Sequence, residues 1–196
     1  MKKLSVLVLV LSMLFPSGAI FARDIPDALT VIHDRKSVRH FTGQEVSRDD
    51  LMTLVKAGMA APTAVNMQPW SFVIVTERKD LDSLSASLPY AKMLDTAGAA
   101  IVVCAMPEKA FGKSRDFAII DSSCASENIL LAAEALGLGA LWTAVYPDDG
   151  REAAVRRILN VPPDIIPLNV IPIGYPTGED KPKDKFDQGK IHWGKW

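Results

Sequence analysis

Residues 117–136, FAIIDSSCASENILLAAEAL, begin amphipathic and become apolar on nearly every side through Ile129, Leu130, Leu131, Ala132 and Ala133. Such a helix cannot sit on a surface, so the pattern predicts one that runs through the core or across a subunit interface. Gly137 and Gly139 end it, and a helix C-cap explains the GLG triplet better than a phosphate loop, because the glycines follow a helix rather than precede one. Upstream, residues 98–105 (GAAIVVCA) are wholly apolar with a β-branched centre. That composition suits a strand buried on both faces.

Shorter elements extend outward from this pair. Ala28, Leu29 and Ile32 predict a short helix over residues 27–35 after Pro26. Ser47 begins a second helix, with Asp49 and Asp50 in its first turn and Leu51, Leu54, Val55 and Met59 at helical spacing before Pro62. Residues 70–76 (WSFVIVT) predict a strand, 81–88 a helix, 140–145 a strand-like piece, 151–159 a helix stopped by Asn160, and 168–173 a last strand. The alternation defines α/β or α+β, a central sheet flanked by helices. No repeat or long linker divides residues 23–196, which are expected to form one domain. The polar tail ends in Ile191, Trp193 and Trp196, too much apolar area to float free, and is expected to dock, with a second subunit as one candidate.

Composition narrows the function classes. The chain has 196 residues, 22 Lys+Arg against 23 Asp+Glu, and a formal charge of -1, so no basic field draws it to nucleic acid. Three scattered histidines form no metal motif, and two cysteines exclude a disulfide-dense scaffold or a four-thiolate site within one chain. Lys2 and Lys3, the apolar run of residues 4–15, the Pro16-Ser17-Gly18 break and Ala22 have the layout of a secretory signal peptide spanning residues 1–22. The run is shorter than the ~20 residues that span a bilayer, so export is expected, with a retained anchor as the competing reading. In an oxidising compartment Cys104 and Cys124 could pair. Their apolar surroundings favour two free thiols packed as small hydrophobes.

Three segments carry candidate chemistry. In Arg35-Lys36-Ser37-Val38-Arg39, an extended backbone points Arg35, Ser37 and Arg39 to one side, an arrangement that suits a phosphate or other anion. A solvated basic patch is the plainer alternative. In Ala61-Pro62-Thr63-Ala64-Val65-Asn66-Met67-Gln68-Pro69-Trp70, a loop before a buried strand, Asn66 and Gln68 offer both donors and acceptors. Such mixed partners suit an amide-rich heterocycle, and an ordinary turn accounts for them equally. The third segment combines residues 137–143 (GLGALWT) with Ile173-Gly174-Tyr175-Pro176 and Lys183 and Lys185, lysines that otherwise belong to a solvated tail.

Taken in order, RKSVRHF, APTAVNMQPW, ENILLAAEALGLGALW and IPIGYP followed by KPKDK resemble the nitroreductase family of FMN-dependent oxidoreductases across residues 27–196. The resemblance implies an α+β fold, a central mostly antiparallel sheet flanked by helices, and a homodimer with FMN at its interface. It implies that Arg35, Ser37 and neighbouring Lys36 hold the FMN phosphate, and that Arg39 lies near the flavin N1–C2 carbonyl region. Pro62, Thr63, Ala64, Asn66 and Gln68 match a loop that reaches FMN from the other subunit. Trp142 and Thr143 match a segment beside the ring, and Lys183 and Lys185 a basic pair that returns to the phosphate. No catalytic acid, base or nucleophile is nominated, because the cofactor carries the hydride chemistry. NAD(P)H is the implied donor, and a nitroaromatic or quinone the implied acceptor. A non-catalytic flavin-binding protein, or a member performing dehalogenation or flavin fragmentation, are the alternatives.

Overall fold

A computed structural model describes residues 25–196, and the proposed signal segment 1–22 lies outside the described residues. The long helix is present as α4 (Arg115–Ala135), capped by Ser114, whose hydroxyl accepts from the Phe117 amide at 3.3 Å. Its inward stripe is Ala118, Asp121, Ser122, Ala125, Ser126, Ile129, Leu130 and Ala133. The C-terminus closes as the sequence suggested. Gly137 is left-handed (φ 69°), its amide donates to Glu134 O at 2.9 Å, and the Leu138 amide donates to Ala133 O at 2.8 Å.

Among the described residues the strands are β1 (Trp70–Val75), β2 (Ala99–Ala105), β3 (Gly139–Ala140), β4 (Thr143–Ala144) and β5 (Ile166–Gly174). All ladders among them are antiparallel, in the order β1-β2-β5-β3, with β4 also on β5. Every residue of β2 and β5 is buried, as a strand covered on both faces requires. Alternation along β2 divides the core. Ala99, Ile101 and Val103 pack with Leu51, Leu54, Ile129 and Leu130. Ala100, Val102 and Cys104 pack with Leu81, Leu84, Leu94 and Val155. One face is thus covered by α2 (Arg48–Met59) and α4, the other by α3 (Arg78–Ser87) and α5 (Asp149–Leu159). The α+β architecture with a mostly antiparallel sheet follows.

The sheet also separates the thiols. Cys104 belongs to the α3/α5 face, whereas Cys124 on α4 packs with Trp70 and Phe72, and both are free. Burial raises the Cys104 thiol, against a smaller opposing effect of Arg156, to about 12, so it stays protonated and unreactive at neutral pH.

Two expectations need correction. The piece over 140–145 is not one strand: β3 and β4 flank an interruption at Leu141 and Trp142, which leaves Trp142 out of the ladder. The break faces Ile171 and Pro172 of β5, and a proline has no N–H to donate. The last strand is also longer than 168–173: it runs from Ile166 to Gly174 and takes in Pro167. Pro167 sits beside the register shift at Val103/Cys104, where a bulge tolerates it. Trp193 and Trp196 are almost wholly exposed on the single chain. Among the described residues no helix is long and apolar enough to cross a membrane.

Candidate functional site

Helix α1 (Ala28–Asp34) delivers the basic segment. Asp27 caps it, accepting from the Leu29 and Thr30 amides at 3.0 and 3.2 Å, and Arg35 closes it. The chain then runs extended along the edge of the sheet. Ser37 forms a parallel bridge to Ala140, Phe41 an antiparallel one to Pro176, and the Val38 amide donates to Ala140 O at 3.1 Å. Val38 and Phe41 are buried. The approach is close because β3 offers a glycine: a Cβ on Gly139 would lie 2.6 Å from Val38 Cγ1.

Arg35, Lys36, Ser37 and Arg39 line one cavity of about 580 Å³ with Glu179, Asp180, Lys181, Lys183 and Lys185. Six cationic side chains face two carboxylates there, an environment for an anion. The cations are not equally free. Arg35 Nε pairs with Glu127 of α4 at 3.1 Å, and Lys36 Nζ pairs with Glu134 at 2.7 Å. Lys183 and Lys185 carry no such pair among the described residues, so they and the rest of the Arg35 fork are the groups left for a ligand.

Asp180 ties the returning tail to this segment, accepting from the Arg39 amide at 2.8 Å and the His40 amide at 3.2 Å. Burial raises its carboxyl, but those two amides and the His40 ring together hold it below the ordinary value. A carboxyl depressed on folding stabilises fully above its unfolded pKa, about 3.9, and loses that contribution as pH falls through the folded value. Acid titration should therefore move the Arg39 and His40 amide resonances together, with a midpoint below about 3.9. A midpoint at or above that value would remove Asp180 as the tether.

A second cavity, of about 470 Å³, shares Arg39 and is lined by Tyr90, Lys92, Met93, Leu141, Trp142, Thr143, Ala144 and Arg151. Thr143 is buried, yet its hydroxyl has no hydrogen-bond partner among the described residues. An orphaned buried hydroxyl in a cavity wall calls for a ligand or water. The strand break places Trp142 here. Lys92, Tyr90 and Arg151 were not singled out from sequence. Arg151 lies over the Tyr90 ring at 5.8 Å and donates to Ala144 O at 2.9 Å.

The loop of Pro62, Thr63, Ala64, Asn66 and Gln68 lines neither cavity. It is instead a strained, self-bonded projection. Val65, Asn66 and Gln68 have φ of 45°, 59° and 53°. Left-handed backbone costs a non-glycine residue roughly 1–2 kcal/mol, and β-branched Val65 is a poor occupant. Thr63 Oγ1 accepts from the Gln68 amide at 3.1 Å, and Gln68 Nε2 donates to Asn66 Oδ1 at 2.9 Å. Asp121 of α4, also missed from sequence, accepts from the Ala64 amide at 3.3 Å. No group of three or more metal-ligating side chains occurs among the described residues.

The fold and the two cavities define an α+β protein with a cationic cleft that shares Arg39 with an aromatic-walled one. The sequence model of the Nitroreductase family matches residues 32–88 and 77–175, and the chain belongs to that family. It is 40% identical over 170 residues to a protein of Methanothermobacter thermautotrophicus described as "Putative NADH dehydrogenase/NAD(P)H nitroreductase", with 87% of this chain and 88% of the relative covered. A crystal structure bearing the same description, from Parabacteroides distasonis, superposes with a TM-score of 0.82 at 46% identity, covering 86% of this chain and 98% of the other. An FMN-dependent nitroreductase from Clostridium difficile R20291 is similar at a TM-score of 0.78 and 30% identity, covering 86% and 99%.

Proposed function

We propose that the chain is an FMN-dependent oxidoreductase that passes electrons from NAD(P)H to a nitroaromatic, quinone or similar acceptor. One observation carries the reading: a cationic cavity and an aromatic-walled cavity with an orphaned hydroxyl share Arg39 in their linings. A molecule with an anionic tail and a polar planar ring fits that pair, and the descriptions of the relatives name NAD(P)H and FMN.

FMN supplies a ring that accepts and returns a hydride equivalent. The chain's own residues bind and orient. Arg35, Ser37, Lys183 and Lys185 hold the phosphate, with Lys36 fixed alongside by Glu134. Thr143 and Trp142 border the ring. Arg39, with Lys92 in the same cavity, puts fixed positive charge where the reduced ring gathers negative charge. Arg39→Leu should therefore lower the flavin midpoint potential by roughly 30 mV or more, about 1.4 kcal/mol for a two-electron couple. An unchanged potential at full flavin occupancy would remove that role.

Two copies are proposed to complete each site. The Pro62–Gln68 loop has an exposed tip (Val65, Met67) and lines neither of its own chain's two cavities. Met52 and Met59 of α2 and Phe117 and Ile120 of α4 are exposed apolar side chains that a second subunit would cover. Residues 1–22 are proposed to direct export, with flavin loading outside the cytoplasm. Fractionation that finds only an unprocessed cytoplasmic chain would overturn export.

The function is tested by the visible spectrum of the FMN-reconstituted protein before and after anaerobic NADH or NADPH. Bleaching by the donor, reversed by a quinone or nitroaromatic, is expected. Bound flavin that no donor bleaches would leave a flavin-binding protein, and a colourless protein would end the proposal.

A further inference from the structure

We infer that Asp121 is a positioning residue for the cofactor loop: its buried carboxylate, by accepting the Ala64 amide, holds the turn of residues 63–68, with Val65, Asn66 and Gln68 left-handed, in the conformation from which it reaches FMN. The inference rests on the FMN reading above.

Asp121 lies in the middle of the inward stripe of α4, where the other residues are small or apolar apart from Ser122 and Ser126. It is 4% exposed. Ser126 is explained by its bonding, since its Oγ donates to Ser122 O at 2.9 Å and accepts from Asn169 Nδ2 at 2.8 Å, while the Ser122 hydroxyl has no partner among the described residues. Asp121 has no such local use. Its hydrogen bonds among the described residues both come from the Ala64 amide, at 3.3 Å to Oδ1 and 3.4 Å to Oδ2. No Lys or Arg among the described residues forms an ion pair with it. A buried carboxylate without a cation is expensive, and packing alone would be served better by alanine or serine. What it gains is a hold on one backbone N–H, shared between its two oxygens.

That N–H begins the strained segment. Ala64 opens a 3-10 turn whose next two residues, Val65 and Asn66, are left-handed, and Gln68 follows. The turn's own bonds, Thr63 Oγ1 to the Gln68 amide and Asn66 Oδ1 to Gln68 Nε2, stitch the tip together but do not tie it to the body. Asp121 supplies that tie from α4, 57 residues away in sequence. With the tip so held, Asn66 Nδ2 and Gln68 Oε1 remain for a ligand's polar edge. Pre-organisation of this kind lowers the ordering cost of binding.

The test compares Asp121→Ala and Asp121→Asn with the parent chain by amide hydrogen exchange of residues 64–68 without FMN, and by FMN titration. D121A should accelerate exchange of those amides about tenfold and raise the FMN Kd about tenfold. D121N keeps an acceptor oxygen and should fall between it and the parent in both. A role confined to stability would lower Tm in D121A while leaving loop exchange and FMN Kd within twofold, and that result would overturn the inference. Should D121A fail to fold, D121N decides alone: parent-like exchange and Kd overturn the inference, and loop exchange and Kd both raised above the parent's support it. A parent chain that takes up no FMN sinks the cofactor reading, and the exchange experiment still judges the tie between Asp121 and the loop.

Discussion

Arg35→Ala should raise the Kd for FMN by roughly 10- to 100-fold while leaving the fold intact. A hydrogen bond to a charged group is worth about 1.5–3 kcal/mol, and each 1.4 kcal/mol is a factor of ten. Arg35 also neutralises Glu127, which approaches Nε at 3.1 Å. Its removal therefore leaves a carboxylate near the proposed phosphate, and the two losses act in the same direction. Glu127 is half exposed, so the ion pair itself adds little to stability and Tm should barely move. Riboflavin, which lacks the phosphate, separates this role from a general disturbance: its affinity should be the same in the parent and in R35A. Arg35→Lys keeps the charge but loses the planar fork, and should recover only part of the FMN affinity. Raising the ionic strength should narrow the gap between parent and variant. Equal loss of riboflavin and FMN binding would move Arg35 away from the phosphate, and no loss of either would remove it from the site.

The elements legible in the sequence are those whose signal is local. The apolar residues of α4 and β2 recur at spacings that only a core helix and a doubly covered strand explain, and both are where the pattern put them. Arg35, Ser37 and Arg39 could be grouped because an extended segment alternates its side chains, and the bridges at Ser37 and Phe41 show the backbone extended there. Features created by tertiary contact left no such trace. The interruption at Leu141 and Trp142 depends on which residues of β5 lie opposite, and no periodicity within 140–145 reports that. Lys92 and Arg151 enter the second cavity from opposite sides of the sequence, one beyond α3 and one in α5. Asp121 lies in the amphipathic start of its helix, and only its burial and its contact with the 63–68 loop distinguish it. The GLG triplet illustrates the division within three residues. Gly137 is the helix terminator that local rules identify, whereas Gly139 is required by a side chain about a hundred residues earlier.

That second glycine carries the other large effect. Gly139→Ala should destabilise the protein and weaken FMN and riboflavin binding together. The added Cβ would fall 2.6 Å from Val38 Cγ1 and 2.8 Å from Val38 Cβ, distances at which something must shift. Val38 is 1% exposed and sits in the cluster with Leu141 and Phe41, so its side chain has no empty space to enter. The backbone must yield, and it carries Arg35, Ser37 and Arg39. Overpacking of this kind costs about 1–3 kcal/mol. For a chain of this size each 1 kcal/mol lowers Tm by roughly 2–4 °C. Unlike R35A, the variant should lose affinity for both flavins, because the segment serving the phosphate and Arg39 at the second cavity moves as one piece. Val38→Ala should then rescue it in part: the double variant recovers more Tm and more FMN affinity than the sum of the single changes predicts, since alanine removes Cγ1 and Cγ2 while the contact with the Val38 Cβ stays. Strict additivity would mean that Gly139 and Val38 do not meet, and with that the docking of the basic segment on the sheet would have to be abandoned.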